Sequence, residues 1–193
     1  RDKLHCLELF SAHGMALPKS ASIESMHNAS DLLARHFSFP LLIKQHGSAQ
    51  GRGVEQVWNR AQALQRMAEL HGLDEPFLLQ EFIAEALGAD LRLFVLNGEV
   101  IAAMKRQAVP GDFRANIHLG GKAEIYSPQA QEIDMAVKAA GLLGLDVAGV
   151  DIIRSHRGPL LLEVNASPGF EALERVSGVD VAGKMLDLLI SRK

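Results

Sequence analysis

The chain lacks a second cysteine. Cys6 stands alone among 193 residues, so no internal disulfide forms, which fits a reducing compartment and an expected cytoplasmic location. An apolar run approaching the ~18 residues that span a bilayer is also missing, and no signal-peptide pattern opens the chain, so no membrane association is expected. Charge of one sign is in short supply too. Lys and Arg number 20 against 23 Asp and Glu, a formal net of -3, which argues against nucleic-acid binding through bulk phosphate attraction. Internal repeats and low-complexity tracts are absent. What remains is the ordinary globular mix, 48% apolar and 22% charged, in a length that can bury a core. Arg1-Asp2-Lys3 runs straight into an amphipathic segment with no initiator Met, and we read the chain as a piece of a longer protein.

Hydrophobic periodicity orders the rest. Leu4, Leu7 and Phe10 give a helical stripe ending at Gly14. A second helix starts near Asn28 or Ser30 and stops before Pro40. Leu41-Leu42-Ile43 reads as a buried strand leading into Lys44 and a glycine-rich loop. Val54 to Trp58 is the return strand, Arg60 to His71 a helix, and Phe77 to Phe82 another strand. Asn97-Gly98 supplies the two positive-φ residues of a type I′ turn between Asp90–Leu96 and Glu99–Arg106. A polar loop from Ala108 to Lys122 precedes a long helix opened by Pro128. Two strands, Leu145 to Arg154 and Pro159 to Val164, and a closing helix from Val179 to Ile190 complete the chain. Hairpins interleaved with helices predict an α+β fold rather than a doubly wound parallel sheet. The elements before and after about Glu85 read as two subdomains, approximately 15–84 and 85–193.

The last hairpin carries the first chemistry. With its turn centred on Arg157, Asp151 lies across from Glu163, and Asn165 shares that face because side chains alternate along a strand. Two adjacent carboxylates repel unless a cation joins them. Three oxygen donors suit Mg²⁺, which prefers oxygen ligands and shares its shell with nucleotide phosphates. Flanking Val150, Ile152, Ile153, Leu161, Leu162 and Val164 mark both strands as buried, and a buried carboxylate needs a partner. A compensating cation such as Arg154 is the alternative.

Other segments suit a nucleotide. Lys44 precedes His46-Gly-Ser-Ala-Gln-Gly-Arg-Gly-Val54, whose glycines let backbone N–H groups turn toward an anion. The order is neither the Walker pattern nor the dinucleotide fingerprint, and a plain surface turn satisfies the glycine count as well. Gln80-Glu81-Phe82-Ile83 ends a strand where backbone groups and the Phe82 ring suit an adenine, or where Phe82 is simple core. Asp90 is expected to face Lys105, as a cross-strand salt bridge or as an acceptor for sugar hydroxyls. Arg106, Arg114 and Asn116, followed by His118, make either a solvated basic loop or a set that neutralises phosphoryl charge.

In this order the strings resemble the ATP-grasp family, and within it the ribosomal-protein glutamate ligases of the RimK type. They are Arg1-Asp-Lys-Leu4, Lys44 with Gln50-Gly-Arg-Gly-Val54, Gln80-Glu-Phe-Ile83, Gly111-Asp-Phe-Arg-Ala-Asn116 with His118 and Gly120-Gly121, Val147-Ala-Gly-Val-Asp151, and Glu163-Val-Asn-Ala-Ser-Pro-Gly169. The resemblance covers essentially the whole chain. It implies an ATP-grasp fold with ATP between two α+β subdomains, and an additional N-terminal domain ahead of Arg1. It assigns Lys44 and Lys3 to phosphates, Glu81 and Phe82 to adenine, and Asp90 to ribose. Arg114, Ala115 and Asn116 fall to the phosphate side, with Arg114 catalytic. Asp151, Glu163 and Asn165 hold two Mg²⁺ ions, with Mn²⁺ as a substitute. The implied reaction joins a carboxylate to an amine through an acyl phosphate, adding glutamate to a protein or peptide terminus such as a ribosomal protein. A small-metabolite acceptor and a non-catalytic nucleotide-binding module are the competing readings. An oligomer is compatible with all of them. No protein nucleophile is required, in keeping with the lack of a convincing triad.

Overall fold

A computed structural model describes residues 3–23, 25–45, 53–115, 117 and 120–191. His46 to Arg52, Asn116, His118 and the side chain of Lys3 lie outside the described residues, and with them most of the glycine loop. The chain divides into two compact units, Arg1–Glu8 with Leu17–Ile83, and Leu9–Ala16 with Ala84–Lys193. Helix α1 (Lys3–Ala12) contributes to both. Among the described residues no helix is long and apolar enough to cross a membrane.

The first unit is a four-stranded antiparallel sheet backed by two helices. Its elements are β1 (Ser20–Ser22), α2 (Ala29–His36), β2 (Leu41–Gln45), β3 (Val54–Val57), α3 (Arg60–Gly72) and β4 (Phe77–Glu81), with strand order β1-β4-β2-β3. Leu41 and Ile43 alternate with Leu42 and Lys44, so one face of β2 meets Phe77 and Leu79 in a single core with Leu33 of α2. Helix α3 joins that core through Ala63, Met67 and Leu70, spaced to share one face. Asn59 caps α3, its side-chain oxygen accepting from the Gln62 amide at 3.0 Å.

The second unit holds β5 (Ala89–Leu96), β6 (Glu99–Gln107), β7 (Lys122–Ile125), α4 (Ala130–Leu142), β8 (Val147–Ser155), β9 (Gly158–Asn165), α5 (Glu171–Ser177) and α6 (Val181–Ser191). The strands form an antiparallel sheet in the order β7-β6-β5-β8-β9. Helix α4 packs on β5, β6, β8 and β9. Helices α5 and α6 supply Leu173 and Val181 to a second cluster with Phe94, Ala102 and Met104. Asn97 and Gly98 both have positive φ, as the β5–β6 turn requires.

Two elements go beyond the sequence expectation. Strand β7 sits where the polar loop was expected to end; it is four residues long and mostly exposed, so it shows almost no alternation. Helix α5 has only seven residues and one buried position, Leu173, too little for a periodic signal.

Both functional hairpins contain a bulge that shifts the expected register. In β5–β6, Val95 pairs with Val100 but Phe94 pairs with Ala102, leaving Ile101 as the extra residue. Asp90 therefore faces Arg106, and the expected partner Lys105 pairs with Leu91 instead. In β8–β9 the turn runs from Ser155 to Gly158, and Leu162 is the extra residue between the pairs Ile152–Leu161 and Asp151–Glu163. The tighter turn and the bulge offset each other, so Asp151 does face Glu163.

Candidate active site

The five-stranded sheet gathers the acidic and basic side chains on one face. Arg92 on β5 pairs with Asp151 on β8, and Asp151 pairs with Glu163 on β9, so the three form a row across neighbouring strands. Asp90 and Arg92 lie two residues apart on β5 and share this face, with Arg106 opposite Asp90.

The side chains complete the row with charge-assisted bonds. Arg92 grips Asp151 in a two-point fork, Nε to Oδ1 and Nη2 to Oδ2, both at 2.7 Å. Arg106 grips Asp90 in the same way, Nε to Oδ1 at 2.6 Å and Nη2 to Oδ2 at 2.7 Å. Arg106 also reaches Asp151, its Nη2 lying 3.0 Å from Oδ2. Asp151 and Arg106 are buried, at 3% and 8% exposure. Two carboxylates and two guanidiniums thus form a charge-neutral group under the sheet surface, the condition under which buried ions are tolerated.

The electrostatics follow from the pairing. Burial pushes the Asp90 carboxyl up to about 6, against the pull of the Arg106 guanidinium. Burial works to raise Asp151 as well, yet Arg106 and Arg92 together hold it below the usual carboxylate range. Burial also opposes the Arg106 cation, and Asp151 and Asp90 more than compensate, holding it above its ordinary value.

Arg154, the expected compensating cation, is elsewhere. It stands three residues from Asp151 on β8 and so points to the opposite face. There its Nε donates to Glu132 of α4 at 2.8 Å, and it bonds the Tyr126 hydroxyl. Lys105 likewise pairs with Glu124 on β7, at 3.1 Å. Arg92 is the residue that sequence reasoning missed. Its signal was the Asp-x-Arg spacing on β5, which puts both side chains on one face.

Glu163 and Asn165 lie toward the outer edge of the row. Asn165 Nδ2 donates to Glu163 Oε1 at 3.1 Å and approaches the Gly149 carbonyl at 3.5 Å. With Asp151 they offer oxygen donors only, once the Asn165 amide turns Oδ1 inward, and this is the donor set a hard divalent cation takes. Among the described residues no cluster of three or more His, Cys, Asp and Glu is suited to a metal, so any cation here relies on Asn165 as well as the two acids. Gly149 makes the following turn fit: a Cβ there would come within 2.6 Å of Pro168 Cβ, so only glycine lets Asn165-Ala-Ser-Pro168 fold back over β8.

Of the remaining sequence-predicted residues, Arg114 and Glu81 have local partners. Arg114 pairs with Asp112, Nη2 to Oδ2 at 2.8 Å, and its hydrogen bonds hold Asp112 below the usual carboxylate range. Ala115 is buried, and Asn116 is outside the described residues. In the first unit, Lys44 lies near the end of β2 and Glu81 ends β4. Glu81 is tied to Lys19: the Lys19 amide donates to Glu81 Oε1 at 2.7 Å, and the Glu81 amide to the Lys19 carbonyl at 2.8 Å. Phe82 follows Glu81 directly and is partly buried.

Comparison with known proteins places this arrangement. The RimK-like ATP-grasp domain model matches residues 1–189. A probable alpha-L-glutamate ligase of Aeromonas salmonicida (strain A449) is 47% identical over 189 residues, covering 98% of this chain and 63% of that protein. A ribosomal protein bS6–L-glutamate ligase of Salmonella paratyphi B is 47% identical over 186 residues, covering 96% of this chain and 62% of the relative. The chain thus spans under two thirds of these relatives' length. The ATP-grasp ligase PsnB, solved with its minimal precursor, superposes with a TM-score of 0.79 at 26% identity, covering 100% of this chain and 60% of PsnB. A RimK-domain ATP-grasp protein from Sphaerobacter thermophilus shares the fold at a TM-score of 0.74, with 21% identity over 96% of this chain and 66% of its own. With the Asp151–Glu163–Asn165 row in place and a family model matched over nearly its full length, the chain belongs to the RimK-like ATP-grasp family.

Proposed function

We propose that the intact protein is an ATP-dependent carboxylate–amine ligase that adds glutamate to the terminus of a protein or peptide, such as a ribosomal protein. The observation that carries the reading is the Asp151–Glu163 pair with Asn165 beside it, in a chain of this family. Relatives named as glutamate ligases support glutamate, and those named for bS6 support a ribosomal-protein acceptor.

In this reading Lys44 and Lys3 meet ATP phosphates, Glu81 and Phe82 the adenine, and Asp90 the ribose. Arg114, Ala115 and Asn116 serve the phosphate side. Asp151, Glu163 and Asn165 would hold magnesium, two ions in all, with manganese as a substitute. A metal held there would supply positive charge to offset that of the phosphates. A carboxylate is a poor electrophile, so its oxygen first takes the γ-phosphoryl group and ADP departs. The amine then attacks the acyl carbon, loses its proton, and inorganic phosphate leaves as the amide forms. Arg114 stabilises charge in both steps, and the side chains act by orientation and electrostatics.

Incubating the intact enzyme with ATP, Mg²⁺, glutamate and candidate acceptors tests this directly. Mass increments of glutamate residues on a ribosomal protein or peptide, with matching ADP release, are expected. Increments on small metabolites only would reject the protein-modifying reading, and absence of acceptor-dependent ADP would reject the ligase. Glu163→Gln should abolish turnover while leaving circular dichroism unchanged; normal kinetics in that variant would sink the metal assignment.

A further inference from the structure

Asp151 is the most buried of the proposed metal donors, and all but one acceptor direction, on Oδ1, is already taken. A carboxylate offers about four lone-pair directions. Arg92 takes one on each oxygen, and Arg106 takes a second on Oδ2. The two arginines hold Asp151 differently. Arg92 is committed by a fork with both bonds at 2.7 Å, whereas Arg106 touches Asp151 through one longer contact of 3.0 Å. The main grip of Arg106 is on Asp90, by a fork of 2.6 and 2.7 Å. If its contact with Asp151 is given up, Arg106 stays charge-paired without moving off its strand.

We propose that Arg106 is a resident counter-cation that competes with the divalent metal for Asp151, and that Asp90 holds Arg106 in readiness when the metal takes its place. The inference rests on the metal reading above and adds positioning roles for Arg106 and Asp90. In the metal-free protein the arginines keep the buried carboxylate compensated. With a cation bound, one Arg106 contact is exchanged for one metal bond, and no buried charge is left unpaired at either stage. Arg92 stays on Asp151 in both states and fixes its orientation.

The test reads metal affinity in the intact protein, with Mn²⁺ or Mg²⁺ alone and no nucleotide, by calorimetric titration and water-proton relaxation. The two variants are expected to move in opposite directions. Arg106→Met removes the competitor and should tighten Mn²⁺ binding by roughly tenfold, the worth of one charge-assisted hydrogen bond. Asp90→Asn frees the Arg106 fork to close on Asp151 and should weaken binding by a similar factor. Arg106→Lys retains a charge without the fork and should tighten binding to an intermediate degree; it carries the test if the methionine variant does not fold. Weaker binding in the folded Arg106 variants, or no change, would overturn the exchange, because residues that only brace Asp151 would lower affinity when removed. Glu163→Gln separates the two levels. If it leaves Mn²⁺ binding intact, the metal reading fails; if it weakens binding while the Arg106 and Asp90 variants shift together, only the exchange fails.

Discussion

Tyr126 is the sole tyrosine of the chain, and it stands between Glu132 and Arg154. Its hydroxyl donates to Glu132 Oε2 at 2.8 Å and receives Arg154 from the end of β8. Glu132 is buried, at 1% exposure, and also accepts from the Gln129 amide at 2.8 Å, closing a capping box at the start of α4. Burial, followed by the hydrogen bond to the Glu132 carboxylate, pushes the Tyr126 phenol up to about 12. The folded value lies above the ~10 of a free phenol, so the protonated form stabilises the fold below that value. That contribution is lost as the pH climbs from about 10 to about 12. In the 193-residue chain, which has this one tyrosine, phenolate absorbance reads this group alone. A single transition well above the one measured in denaturant is expected, and coincident transitions would refute the Tyr126–Glu132 pairing.

At the scale of elements, bulges and one close approach decide the site. The bulge at Ile101 carries Asp90 to Arg106, and the bulge at Leu162 keeps Glu163 opposite Asp151 despite a tight turn. Gly149 sits in the middle of β8 with Pro168 over it. Gly149→Ala would push a methyl into Pro168 and, through it, displace the turn that follows Asn165. Overpacking of this kind costs about 1–3 kcal/mol, so a lowered denaturant midpoint with unchanged slope is expected, together with weakened Mn²⁺ binding. Stability equal to the parent would show that Pro168 yields freely.

For the molecule as a whole, ligand linkage gives the readout. Anything that binds the native state alone stabilises it, by about 2.7 kcal/mol at a hundredfold excess over Kd. For a chain of this length each kcal/mol moves Tm by roughly 2–4 °C, so saturating ATP with Mg²⁺ should raise Tm by about 5–10 °C. ATP with a chelator in place of Mg²⁺ should give a much smaller shift. Equal shifts under both conditions would mean that the acidic row takes no part in nucleotide binding.

Much of this protein was legible in its residues because the signals are local. Alternation along β8 and β9 put Asp151, Glu163 and Asn165 on one face, Asn97-Gly98 announced its turn, and the ordered strings pointed to the family later matched over residues 1–189. The sequence by itself determined element type wherever a period was long enough, and it determined which oxygen donors can share a face. The tertiary structure alone decided their partners. Arg92 and Arg106 reach Asp151 from strands 59 and 45 positions away in the chain, and two bulges adjust who faces whom. Ion pairing depends on distance in space and on burial, and neither quantity is written in the order of residues along a strand.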